Sequence, residues 1–287
     1  TAFIPKTIAL LSYQLLNRGS QYSLNAIKAE FGYNWKENAR KEHTFNPISV
    51  SYVQAGFPST RVRDSLYNAN PVLRSLLENQ FIIGSNYNFT FSNQMEDYRR
   101  NNIYFNGGIE TAGNLWGRFV SKNNLDERRL FNTSLNQFVR LEADFRDYYK
   151  INRNVTWASR LNLGYGFAYG NTTTLPFVRQ FFAGGSNDIR AFRARTLGPG
   201  TYKVPDDQTF SDQGGDIKAM LNTELRFKIF SVLHGAVFVD AGNIWLRKED
   251  TGTPGTTDLG RLGSGFKLNR AFSELAVGTG AGLRVDA

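Results

Sequence analysis

Apolar side chains fall at every second position in run after run of this chain, and a period of two is the repeat of a β-strand. Ile27, Ala29, Phe31, Tyr33 and Trp35 share one row, opposed by Lys28, Glu30, Gly32 and Asn34. Val155, Trp157, Leu161, Leu163, Tyr165, Phe167 and Tyr169 share another, opposed by Thr156, Arg160, Asn162, Gly164 and Gly166. No helix can carry such rows, and no apolar run approaches the ~18–20 residues of a membrane helix. The expected fold class is all-β.

The same reading covers Thr7 to Leu15, then Ile48, Val50 and Tyr52, then Phe81 to Phe91, and Ile103 to Ile109. Val139, Leu141, Ala143 and Phe145 oppose Arg140, Glu142, Asp144 and Arg146. Leu221 to Ile229 carries Asn222, Glu224, Arg226 and Lys228 on its polar row, and Leu233 to Trp245 carries His234, Phe238 and Asp240. The last run, Leu275 to Val285, opposes Glu274, Gly278, Gly280, Gly282, Arg284 and Asp286. That makes about ten strands by alternation alone.

Loop lengths alternate as well. Long connections are expected at Ala55–Asn79, Asn114–Leu130, Phe177–Gln213 and Arg247–Arg270, all at one end. The first should hold a short helix at Val72 to Leu77, capped by Asn70 before Pro71, and the second has partly helical spacing. At the other end the charged stretch Lys36–Glu42 reads as a turn, with His43 a turn residue. Short turns opposite long loops are the pattern of an outer-membrane β-barrel. A soluble sandwich also alternates. The bulk of the apolar rows, in a chain that is 14% aromatic, favours a lipid-facing belt over a small barrel's core.

The net charge of +9 raises nucleic acid as a partner, but the cations are scattered and alternate with apolar residues, which fits a phosphate-rich lipid surface better. With no cysteine and only His43 and His234, no zinc site or nucleophile elbow can be assembled. The glycines of VGTGAG (Val277–Gly282) occupy every second place of a strand, so they are small residues at a crowded wall and not a dinucleotide loop. No enzyme, metal or cofactor is expected.

One segment breaks the rhythm: Arg179–Gly200, RQFFAGGSNDIRAFRARTLGPG. It is too polar for a strand and longer than the ~12–15 residues beyond which a loop usually has its own task. It is expected to fold back into the barrel and set Arg190, with Arg193 and Arg195 nearby, against Glu224 and Asp240 on the next two strands. A planar guanidinium fork suits such carboxylates. An ionic anchor is expected because lumen water offers little hydrophobic adhesion.

FFAGGSNDIRAF, LGPG, LNTELRFKIF and AVFVDAGNIW together resemble the C-terminal barrel of the BamA/TamA outer-membrane assembly superfamily. Ile189, Arg190 and Phe192 match its (Val/Ile)-Arg-Gly-(Phe/Tyr) loop tetrad, with Ala191 where the family usually has glycine; alanine resists positive φ. Phe238, Asp240 and Gly242 match its Phe-x-Asp-x-Gly strand motif, and Glu224 stands at its acidic partner position. The form IRAFRARTLGPGTY resembles the TamA-like branch of Bacteroidetes-type bacteria.

The resemblance implies a sixteen-stranded transmembrane barrel. About strands five to fourteen would be present here, and the periplasmic domains and the first and last strands absent. It further implies a bacterial outer-membrane protein insertion or translocation factor. Its partners would be membrane lipid and lipopolysaccharide, unfolded client proteins and accessory envelope subunits. A two-partner-secretion-type or passive pore is the alternative.

Overall fold

The computed structural model describes residues 4–17, 22–69, 79–96, 98–114, 129–130, 133–170, 174–203, 213–230, 232–252 and 260–285. Ten long strands form one antiparallel sheet: β1 (Lys6–Asn17), β2 (Ser23–Asn38), β3 (Lys41–Gly56), β4 (Gln80–Ser92), β5 (Asn101–Ala112), β8 (Gln137–Lys150), β9 (Val155–Tyr169), β10 (Ile217–Lys228), β11 (Leu233–Trp245) and β12 (Ala276–Val285). Each pairs with its neighbour in that order, and the short strands β6 (Arg129–Leu130) and β7 (Thr133–Ser134) pair only with each other. No helix among the described residues is long and apolar enough to cross a membrane, a test that does not bear on strands.

Short connections at 39–40, 93–100, 151–154 and 229–232 lie at one end of the sheet, and those at 57–79, 113–136, 170–216 and 246–275 at the other. The charged stretch expected as a turn is mostly strand. Only Ala39 and Arg40 turn, and Lys36 pairs across to Glu42. His43 is likewise inside β3 and not in a turn: its ring stacks on Trp35 at 5.0 Å, with Tyr87 Oη 2.7 Å from Nδ1. Helix α1 (Thr60–Ala69) comes earlier than the helix expected at 70–77, which lies outside the described residues, as does most of 114–130. Ser59 starts α1 by accepting the Val62 N–H at 3.3 Å through Oγ.

The pleat sorts the side chains onto two faces. The apolar rows form an exposed outer face, on which Trp157 is 52% and Phe167 42% exposed. The opposite, inner face is polar over most of its area and receives segment 174–203. Glu30 there takes Lys28 Nζ at 2.9 Å, Ser49 Oγ at 3.0 Å and Asn86 Nδ2 at 2.9 Å. Segment 174–203 touches residues of this face on β2 at one side of the sheet and on β12 at the other.

Pro47 sits within β3, where a strand would ordinarily need its missing N–H. A bulge accommodates it: the register to β4 shifts between Asn46 and Ser49 and that to β2 between Phe45 and Ile48, and Phe45 and Ile48 thereby stay on the outer face. Ser85 Oγ donates to the Pro47 carbonyl at 2.7 Å. The bulge presses on Gly32, where an added Cβ would lie 2.5 Å from the Phe45 carbonyl oxygen, whereas one on Gly282 would meet nothing within 4 Å. Gly32→Ala is therefore expected to destabilise the sheet by about 1–3 kcal/mol, with Gly282→Ala near neutral. Urea titration of the purified protein reads both, and equal midpoints would refute the steric account.

Candidate functional site

Segment 174–203 contains one 3₁₀ turn, Phe177–Arg179, and no long strand. It is shaped by backbone turns. The Gly185 N–H donates to Phe192 O at 2.9 Å and the Phe192 N–H to Ile189 O at 3.1 Å, closing a loop tip that thrusts residues 188–190 at the sheet. Gly184 has φ +93, and a Cβ there would run into the Arg193 carbonyl, so this corner requires glycine.

Arg190 leaves the tip toward β10 and β11. Its Nε lies 2.9 Å from Asp240 Oδ2 and its Nη2 2.9 Å from Asp240 Oδ1, a bidentate pair, while Nη1 reaches Glu224 Oε2 at 2.5 Å. The Arg190 backbone N–H also donates to Asp240 Oδ2 at 3.0 Å. The guanidinium carbon stands 3.4 Å from the centre of the Phe238 ring, which itself lies against Gly280. Asp240 has no solvent exposure, and Asn222 Nδ2 donates to it at 2.8 Å. Six of the residues singled out from the sequence thus meet here: Arg190, Glu224, Phe238 and Asp240 directly, and Ile189 beside Gly242, whose added Cβ would lie 3.1 Å from Ile189 Cδ1. Phe192 contributes its backbone to the turn. Arg195 instead stacks on Phe182 at 4.5 Å.

Further contacts, absent from the sequence reading, run in both directions. Cations and amides of the sheet take loop carbonyls: Arg140 Nε donates to Arg179 O at 3.1 Å, Arg160 Nη1 to Asn187 O at 2.8 Å, Lys218 Nζ to Phe182 O at 3.1 Å, and Asn222 Nδ2 to Asp188 O at 2.7 Å. Charged loop residues pair with the sheet in turn, Arg179 with Glu110 at 2.6 Å and Asp188 with Lys218 at 2.6 Å. Arg160 is itself held by Asp144 at 2.7 Å. Near the long-loop end Asp216 accepts the Leu175 N–H at 2.8 Å and the Arg247 N–H at 3.2 Å. Burial raises its carboxyl above the ordinary carboxylate range, while these N–H groups and nearby arginines pull it down. The signal for these partners was the row of charges on each inner strand, which alone does not say which charges meet the loop.

Hydrophobic adhesion, which the sequence reading discounted, is substantial. Toward the long-loop end the inner face turns apolar, and Ile82, Ala112, Phe138, Ala168 and Ile244 bury Leu175, Phe181 and Ala183 of the loop. Across the sheet Phe177 packs with Tyr22 and Leu24. Full burial of one such large side chain contributes about 1.5–3 kcal/mol, so several together rival the ionic contacts. Glycines make the seats. An added Cβ would lie 2.5 Å from the Phe181 ring at Gly164 and 2.5 Å from Ala191 Cβ at Gly278. Ala191 is not among the positive-φ residues, where Arg195 (φ 62) is the one described non-glycine. Alanine thus costs no strain at the tip, and its methyl group fills the space above Gly278.

The Omp85 superfamily domain matches residues 17–287. The outer membrane protein assembly factor BamA of Neisseria meningitidis serogroup B is 29% identical over 145 residues, which is 45% of this chain and 18% of that protein. The crystal structure of BamA from Haemophilus ducreyi lacking POTRA domains 1–3 superposes with a TM-score of 0.63 at 14% identity, covering 97% of this chain and 52% of that one. The second likeness is one of fold. The chain spans about half of the solved structure and less of the Neisseria protein.

If the glycine seats hold the loop, Gly164→Val should expel the Phe181 ring and free the segment. Limited proteolysis between Phe182 and Arg195 is expected to quicken about tenfold or more, the cavity and overpacking costs being ~1–3 kcal/mol. An unchanged cleavage rate would mean that Phe181 does not seat the loop.

Proposed function

Since the chain belongs to the Omp85 superfamily, and with it to the bacterial outer membrane, we propose that it is the membrane barrel of a factor that inserts or translocates client proteins, with segment 174–203 held in the lumen. On this reading the exposed apolar face meets hydrocarbon and the polar face encloses water. The observation that carries it is the Arg190 fork on Asp240 and Glu224. The fork fixes the loop tip to the inner wall with no chemistry of its own to perform.

The role is therefore non-enzymatic, with unfolded outer-membrane proteins as clients and accessory envelope subunits and lipopolysaccharide as companions. Within the superfamily the extended motif IRAFRARTLGPGTY supports the TamA-like branch. A secretion-type or passive pore draws on the charged inner rows, but the loop's occupation of the interior weighs against a wide conduit.

Removing the guanidinium strands Asp240 in a buried place. Loss of one partner from a buried pair costs ~3–5 kcal/mol, and here less, because Asn222 and a backbone N–H remain and Arg190 is partly exposed. Arg190→Ala should lower the temperature at which the folded band is lost on semi-native gels by about 5–10 °C and reduce the levels of client outer-membrane proteins. Arg190→Lys should rescue only in part, since it keeps the charge and loses the fork. Wild-type heat resistance and client levels in Arg190→Ala would refute the anchor.

A further inference from the structure

The outer face is not uniformly bulky. Gly107 of β5 lies opposite Ala143 of β8, and Ala219 of β10 lies beyond Leu163 of β9 in the same row across the strands. The rows on either side carry Leu141, Tyr165 and Phe105. The small residues therefore floor an apolar depression of about 530 Å³ that crosses several strands. Phe266 lines its end nearest the long loops.

Phe266 belongs to a segment clamped over the outer face. Its ring meets Trp245 edge to face at 5.4 Å, its N–H donates to Leu246 O at 2.9 Å, and Trp245 Nε1 donates to Glu274 at 2.7 Å. Immediately beyond it, helix α2 (Leu268–Ala271) and its flanks expose Leu268 (74%) and Phe272 (84%) beside the exposed cations Lys267 and Arg270. Bare large apolar groups between cations are costly in water and favoured where hydrocarbon meets charged headgroups. Glu249 lies 3.4 Å from Lys267, but the pair is exposed, and such pairs contribute little, so a phosphate can displace it.

Resting on the membrane reading above, we propose that this corner seats a phosphorylated, acylated lipid of the outer leaflet. One acyl chain lies in the depression floored by Gly107, Ala143 and Ala219, and Lys267 and Arg270 hold the phosphate. The long loops mark the outward-facing end, which places the phosphate site in the outer leaflet. The contact of Phe266 with both the depression and the cationic turn joins the two halves into one site.

Native mass spectrometry of the full-length protein, loaded with bis-phosphorylated lipid A, dephosphorylated lipid A or phosphatidylglycerol, tests the assignment. The wild type should retain the phosphorylated lipid A about tenfold better than either competitor. Lys267→Glu with Arg270→Glu should abolish the phosphate preference, and Ala143→Trp, which fills the depression, should lower retention of the acylated probes several-fold. Equal retention by the wild type and both variants overturns the proposal, and so does a wild-type preference for phosphatidylglycerol, which would assign the corner to inner-leaflet phospholipid. Both variants leave the Arg190 contacts intact. Altered lipid retention with normal client levels thus supports this seat independently of the insertion reading.

Discussion

A carboxylate with no exposure has to be surrounded by donors or lose its charge. Asp240 is surrounded by four: Arg190 Nε, Nη2 and backbone N–H, and Asn222 Nδ2. The backbone donor matters most for architecture. A side chain alone could follow its partner through several rotamers, but a main-chain N–H fixes the loop's path to within a hydrogen-bond length of the sheet. The residues on either side are then placed without further adjustment, Ile189 beside Gly242 and Ala191 on Gly278. The small residues of β11 and β12 and the acid of β11 form one constraint.

Along the face it covers, the loop's contacts divide by polarity. Toward the long-loop end its apolar side chains complete a core with Ile82, Phe138 and Ile244. Toward the short turns lies a polar cavity of about 510 Å³ lined by Arg146, Arg160, Arg190, Glu224 and Arg226. Hydrophobic burial is non-directional and tolerates sliding, whereas the paired forks of Arg190 and Arg160 do not. Adhesion at one end and registration at the other are supplied by different physics, and the same segment needs both.

Much of this was legible in the sequence because a strand whose apolar row is exposed shows its period directly. The row Val155 to Tyr169 gave β9 within its observed bounds, and the Phe-x-Asp-x-Gly strand with the loop arginine marked the residues that meet. Failures came where tertiary context overrides period. Lys36–Glu42 looked like a turn because charges interrupt the apolar row, yet Lys36 and Glu42 face each other across the hairpin at 3.4 Å. The inner apolar patch was hidden because Leu24, Ile82 and Phe138 sit at strand ends, where they read as noise against otherwise polar rows. His43 gave no hint that Trp35 and Tyr87 would shelter it on the outer face, since those contacts join three strands.

The way the loop is shared among strands bears on how the sheet keeps its curvature. Its ionic contacts fall on β5 and on β8 to β11, while Phe177 reaches Leu24 on β2. Neighbouring strands hold one another through the ladder, but the ladder alone sets no closure; a sheet of this length is free to open or tighten by small changes in twist. A segment tied to both sides removes that freedom, because opening the sheet would separate Phe177 from Leu24 or pull Arg190 from Asp240. The loop thus acts as a cross-brace, and the charge pairs at its tip govern the shape of the wall as well as the position of the loop.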